Sequence, residues 1–250
     1  MAGALKIPKK WPGLIEAYRF VKPYVLSNIW KILGITVFFF VIDFILYVIL
    51  GANNVSTQII LNVALFVLGS LSKPTILKAY YNGFTGSEES AIKILDFGLT
   101  HFLKFLLLDI LMDIILGALG GLAYLGGYAG HLLASGGLNA FLTAIGAVIL
   151  GLPLLFVYPR LILSPYFMLL DNLNPLQAIT KSFKALNTKE RYIQMYSVLL
   201  FKLGIYLIAL TIIGIPFAIY WSLIASGIFF MLAWMYGASK KMPQPKIPAV

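Results

Sequence analysis

Residues 30–50, WKILGITVFFFVIDFILYVIL, are followed by the uncharged turn Gly51-Ala52-Asn53-Asn54 and then by residues 57–77, TQIILNVALFVLGSLSKPTIL. Each run matches the roughly 20 residues that an α-helix needs to cross the roughly 30 Å hydrocarbon core of a bilayer. Lipid offers no water to backbone N–H and C=O groups, so such a run closes them internally as a helix. Two runs joined by a polar tetrapeptide read as an antiparallel membrane hairpin.

The pattern recurs. Apolar runs at 98–119, 138–157, 192–213 and 217–236 bring the expected spans to six. The expected fold is all-α, a single integral membrane domain over residues 1–250. With 60% hydrophobic residues, 11% charged residues and a mean hydropathy of +0.92, the composition lies outside the range of soluble domains. Six crossings and their loops leave no room among 250 residues for a separate soluble catalytic domain. The absence of cysteine excludes disulfides and thiolate metal sites. Residues 1–10 are basic but lead into no short apolar region with a cleavage site, so the first span is expected to serve as the insertion signal.

Charge gives the expected topology. All 19 Lys and Arg residues fall on one side of the zigzag, while the connections on the other side carry no charged residue. Loops rich in Lys and Arg are retained in the cytoplasm. The chain is therefore expected to be a multi-pass protein of the plasma (inner) membrane with both termini cytoplasmic. Arg160, Lys181, Lys184, Lys189 and Arg191 form one dense group on that side and are candidate lipid-facing residues. A net charge of +10 lining one membrane face points to anionic lipid rather than nucleic acid. Trp30, Tyr80, Tyr81, Tyr158, Tyr192, Trp234 and Tyr236 are expected at the inner boundary, with Tyr47, Tyr124, Tyr128 and Tyr220 at the outer one.

Three amphipathic helices are expected to lie on the cytoplasmic face. In the first, Trp11, Leu14, Tyr18, Val21 and Val25 recur at helical spacing opposite Glu16, Arg19 and Lys22, with a break near Pro23. The second covers 88–97, after the acidic start at Glu88 and Glu89. In the third, Asn174 caps, Pro175 takes the first helical position, and Leu176, Ile179, Phe183 and Leu186 form a stripe. Pro153, Pro159 and Pro165 are expected to bend or interrupt the apolar stretch that reaches Leu170, and Gly214 and Pro216 to form a tight turn before the last span. A parallel internal repeat is also suggested, since Lys73-Pro74 and Ser164-Pro165 each lead through an amphipathic segment into another span.

These elements resemble a known family. Lys73-Pro74, Tyr80-Tyr81-Asn82-Gly83, Ser87-Glu88-Glu89-Ser90 and Leu95-Asp96-Phe97 in the first half are similar to the uncharacterised YciC-like prokaryotic membrane family. So are Tyr158-Pro159-Arg160, Leu170-Asp171, the segment 178–187 with Lys181-Ser182-Phe183, and Ile213-Gly214-Ile215-Pro216 in the second. That family is related to the membrane domain attached to some glycerophosphoryl diester phosphodiesterases. The resemblance implies six helices with both ends cytoplasmic and brings no activity with it.

The candidate chemistry lies inside the spans. Asp43 falls roughly 18 Å along its helix from Lys31, Asp109 roughly 16 Å from Gly98, and Lys202 roughly 16 Å from Arg191. Asp113 follows Asp109 by one turn on the same face. Charges at this depth cost about 2.5–3.5 kcal/mol on insertion scales and normally face the protein interior. The four admit two readings: a structural pin in which Lys202 neutralises a carboxylate and fixes helix register, or the site of a proton- or cation-coupled transporter or channel. The DxxxD spacing of Asp109 and Asp113 also occurs in intramembrane lipid-modifying enzymes that hold magnesium, but no second acidic pair accompanies it here. Gly117 and Gly121 read as a close-packing pair in an otherwise glycine-rich segment, 117–137. His131 reads as a solvated side chain on the outer connection, and serines within spans as bonded to their own helix. The leading expectation is a non-enzymatic membrane protein, without metal or cofactor, whose basic face engages anionic lipid or a partner. Transport is the first alternative and lipid modification the second.

Overall fold

The computed structural model describes residues 11–50, 54–133, 139–209 and 214–237. Among the described residues the chain is all-helical, in the order α1 (Leu14–Ser27), α2 (Ile29–Leu50), α3 (Val55–Thr85), α4 (Ala91–Leu133), α5 (Asn139–Ile162), α6 (Ser164–Asp171), α7 (Pro175–Ala185), α8 (Lys189–Ala209) and α9 (Gly214–Met235). Six stretches among the described residues are long and apolar enough to cross a membrane: Ile29–Leu50, Val55–Thr85, Ala91–Ala129, Phe141–Asp171, Lys189–Ala209 and Phe217–Met235. Phe40, Phe44, Val63, Phe141, Val148, Phe156 and Leu207 are exposed on them, as a surface immersed in hydrocarbon requires.

Several helix ends depart from expectation. Instead of an amphipathic helix at 88–97 followed by a span, α4 runs unbroken for 43 residues. At 1.5 Å per residue that is about 64 Å, so α4 must tilt or project beyond the hydrocarbon core. It does not break at Gly98 because that glycine is a contact point: a Cβ there would lie 1.9 Å from Thr75 Oγ1 on α3. The glycine-rich segment continues the helix to Leu133 and carries His131, exposed, in its last turn; residues 134–138 lie outside the described residues. Pro153 and Pro159 sit within α5, and the chain breaks only at Leu163, ahead of Pro165 in the first turn of α6. Gly214, Ile215 and Pro216 form the first turn of α9, so any tight turn falls at 210–213, outside the described residues, as does most of the turn at 51–54. Asn54 closes that turn by capping α3, its side chain accepting from the Thr57 N–H while the Thr57 hydroxyl accepts from the Asn54 N–H.

The two halves of the suggested repeat fold differently, because α4 absorbs its amphipathic segment whereas α7 is separated from α8. The expected start of α7 is present: Asn174 and Gln177 form a reciprocal capping box with Pro175 in the first turn. Ala178, Ile179, Ser182 and Ala185 face α4, α5 and α6, while Leu176 is exposed.

The core lies at the end where α3 and α9 finish and α4 and α8 begin, called here the basic end. Phe84, Phe167 and Phe230 are fully buried there. In the most apolar stretch of α9, 61% of residues are buried, against none in the corresponding stretch of α5, so α9 is the central helix and α5 a peripheral one. The first helix is not broken at Pro23, which is exposed, so the hydrogen bond it lacks leaves its partner carbonyl on the outward face. Rather than presenting its stripe to lipid, α1 runs beside α9 in the same direction. Tyr18 packs on Trp221 and shares a hydrogen bond with the Tyr220 hydroxyl at 3.2 Å, and Val21 and Val25 cover Gly227. Tyr220, expected at the outer boundary, thus meets α1. Tyr80, Trp234 and Tyr236, expected in an inner aromatic belt, are buried, and the Tyr80 hydroxyl donates to the Leu223 carbonyl at 2.9 Å.

Candidate functional site: a basic cavity beside a buried carboxylate

The intramembrane carboxylate best defined by its surroundings is Asp109 on α4, 5% exposed. It accepts from Lys73 Nζ at 2.5 Å and from Ser70 Oγ at 2.7 Å, both on α3. Ser70 and Lys73 are three residues apart and therefore share a helix face. The lysine side chain is 48% exposed, its ammonium bonded to a carboxylate that is nearly enclosed. The counter-charge of Asp109 is thus Lys73 and not Lys202.

The four expected residues do not converge. With α4 beginning at Ala91, Asp109 lies about 27 Å along its helix, so the common layer inferred from a start at Gly98 does not follow. Asp113 is exposed one turn further on, and Asp43 on α2 has one enclosed carboxylate oxygen without a hydrogen-bond partner. Lys202 places its ammonium over the rings of Tyr206 and Phe229, at 5.9 and 5.7 Å, beside a lipid-side depression of about 310 Å³. Ser72, Ser197 and Ser226 bond to their own helix backbone as expected, whereas Ser70 does not. That pair of polar residues one turn apart in an apolar run was the available signal for the Asp109 partner.

Asp109→Ala should lower the unfolding free energy in micelles by about 1.5–3 kcal/mol, the range for charged hydrogen bonds. A fully buried pair would lose more, but Lys73 can turn outward. Adding Lys73→Met should then cost little, and a double-mutant cycle by denaturant titration measures the coupling. Strictly additive losses would rule out the pairing.

A second polar cluster organises the turn between α3 and α4. Glu89 accepts from Lys78 Nζ at 2.9 Å and from Asn82 Nδ2 at 3.2 Å, and its backbone carbonyl accepts from Lys31 Nζ at 3.0 Å. Burial alone would raise the Glu89 carboxyl, but the hydrogen bonds from Lys78 and Asn82 and the charges of Lys78 and Lys93 outweigh it and hold the group below the usual carboxylate range. Gly86, at φ 66°, supplies the left-handed residue that ends α3 and brings Glu89 back beneath it.

The five basic residues expected to face lipid divide into two classes. Lys181 pairs with Asp171 at 2.5 Å, Arg160 lies over the rings of Phe183 and Tyr192 at 5.6 and 5.0 Å, and Arg191 donates to the Ala185 carbonyl at 2.7 Å. These three are fastened into the fold. Lys184 and Lys189 are exposed.

Between α3, α4 and α6 at the basic end is a cavity of about 220 Å³. Its polar lining comes from Lys78, His101, Lys104 and Asn172, and Phe97, Phe105 and Met168 contribute apolar wall. Lys104 Nζ donates to Asn172 Oδ1 at 3.4 Å, across 68 residues of sequence. Asn172 holds φ 52°, a left-handed conformation that asparagine tolerates, where it terminates α6. His101 stacks on Phe97 with ring centroids 3.9 Å apart. None of the lining residues is acidic, so the cavity is suited to an anion.

Comparison of the chain with protein-family models, with curated proteins and with solved structures finds no match.

Proposed function

We propose that the chain is a non-enzymatic integral membrane protein of the YciC-like type, lying in the plasma (inner) membrane with its basic end, where α9 finishes, on the cytoplasmic side, where it engages anionic phospholipid. The observation that carries this reading is the division among the basic residues: Lys184 and Lys189 extend outward from α7 and the start of α8 while Arg160, Lys181 and Arg191 are held within the fold. Outward lysines at this end match the anionic cytoplasmic leaflet, where each contributes about 1 kcal/mol near the surface. In this reading α7 lies in the interface with Leu176 and Lys184 toward the headgroups, and α1 is tucked against α9.

Transport through the acidic layer is the second reading, favoured by the unpartnered oxygen of Asp43. It is the weaker one because Asp109 is closed off by Lys73 and Ser70, the arrangement expected of a structural pin.

The lipid reading predicts that Lys184→Gln with Lys189→Gln reduces the preference of the purified protein for phosphatidylglycerol over phosphatidylcholine by roughly fivefold per lysine at low salt. Spin-labelled lipid competition in proteoliposomes measures it. An unchanged preference would count against the reading.

A further inference from the structure

Diffuse attraction to a leaflet needs no cavity, yet the basic end contains one. Resting on the lipid reading above, we propose that the cavity between α3, α4 and α6 is a discrete site that takes one phosphate group of an anionic headgroup. At about 220 Å³ it holds roughly seven water volumes, enough for a phosphate and its neighbouring alcohol and too little for an acyl chain.

The donors are arranged for an anion. Lys78 is half-buried with its ammonium 5.2 and 5.3 Å from the ring centroids of Tyr81 and Phe97. An ammonium has three donors, and Glu89 takes one of them at 2.9 Å, so Lys78 is positioned by that carboxylate and keeps capacity for a ligand. Lys104 is exposed, and its contact with Asn172 at 3.4 Å is long for a hydrogen bond to an ammonium, so an incoming phosphate oxygen replaces it at little cost. The same bond orients the Asn172 amide with Oδ1 toward Lys104, leaving Nδ2 as a further donor. His101 Nδ1 lies 3.0 Å from both the Phe97 carbonyl and the Thr100 hydroxyl, so these local contacts occupy Nδ1 and leave Nε2 as the ring atom available to a ligand. Nε2 can accept from a headgroup hydroxyl or donate to a phosphate oxygen, according to which ring nitrogen carries the hydrogen. Walls of Phe97, Phe105 and Met168 lower the local dielectric and strengthen each of these attractions relative to exposed lysines such as Lys184. Basic pockets between helices on the cytoplasmic side are an established geometry for headgroup capture.

The test uses the full chain purified in micelles and native mass spectrometry with phosphatidylglycerol or phosphatidylcholine added. Wild type should retain one phosphatidylglycerol at a collision energy that strips all others, and no phosphatidylcholine. His101→Gln with Lys104→Gln should weaken that adduct by about tenfold or more, Lys104→Arg should keep it, and Lys184→Gln with Lys189→Gln should keep it while losing the weaker adducts. A thermal melt shows whether the cavity variant is folded. If it is folded and keeps the tight adduct, the site is wrong. If the tight adduct is lost in the cavity variant while the weaker adducts survive the Lys184 and Lys189 exchanges, the site stands and the broader lipid reading fails. Displacement of the lipid by excess inorganic phosphate identifies free phosphate as a source of the same chemistry; resistance to it assigns the site to the lipid. Equal retention of phosphatidylcholine would overturn the proposal.

Discussion

Gly126→Val and Gly146→Val should each destabilise the folded bundle by about 3 kcal/mol or more, at or above the upper end of ordinary overpacking. The two glycines face each other where α4 crosses α5. A Cβ on Gly126 would stand 2.3 Å from the Gly146 carbonyl oxygen, and one on Gly146 would stand 2.1 Å from the Gly126 carbonyl oxygen. Both obstacles are backbone, so no rotamer change relieves them and the helices must move apart. Separation also loosens the contact between Gly151 and Ala123, where a Cβ on the glycine would sit 3.4 Å from the alanine Cβ. Because the chain lacks cysteine, Ala123→Cys with Gly151→Cys gives a direct readout at close to disulfide spacing. The pair should oxidise readily in an otherwise native chain and slowly when Gly126→Val is added. Gly117→Ala and Gly121→Ala, which meet nothing within 4 Å, should be neutral or gain up to about 1 kcal/mol of helix propensity. Equal effects at the two pairs of positions would refute the assignment of the crossing.

That contrast shows what the amino-acid sequence could convey. Gly117 and Gly121 have the small-xxx-small spacing of a packing motif, but spacing marks a face and not the neighbour that covers it. The contact falls instead at Gly126 and Gly146, which became visible only once α4 was seen to remain helical through the glycines. Spans were legible because lipid solvation acts on each segment separately. Helix ends were not: Gly98 is accommodated by its contact with Thr75 of another element, and Pro153 lies within α5 without ending it. The same limit governs the site. Asp109 stood out as an intramembrane charge, yet its pairing with Lys73 depends on the register between α3 and α4. The basic cavity draws Lys78, His101, Lys104 and Asn172 from three helices, and none of the four forms a motif with another.

At the basic end, Phe84→Ala should cost about 3–5 kcal/mol, the range for removing a buried aromatic side chain. Phe84 is fully buried and joins three helices: it stacks on Tyr24 of α1 at 5.0 Å and on Phe230 of α9 at 5.3 Å, and meets Trp234 edge-on at 5.8 Å. The seat of α1 beside it depends on missing side chains. A Cβ on Gly83 would lie 2.5 Å from the Tyr24 carbonyl oxygen, and one on Gly227 would lie 2.5 Å from Val21 Cγ1. Loss of the Phe84 ring therefore leaves α1 held by Val21 and Val25 against Gly227 and by Tyr18 against Tyr220 and Trp221, and α1 should detach before the spans separate. Trypsin cleavage after Arg19, on the exposed face of α1, should accelerate in Phe84→Ala while denaturant titration reports the global loss. Tyr24→Phe separates ring from hydroxyl. The Tyr24 hydroxyl is buried without a hydrogen-bond partner, so its removal should be neutral or stabilising while the stack on Phe84 survives. A Tyr24→Phe protein as labile as Phe84→Ala would mean that a polar contact of that hydroxyl, and not aromatic packing, holds α1 in place.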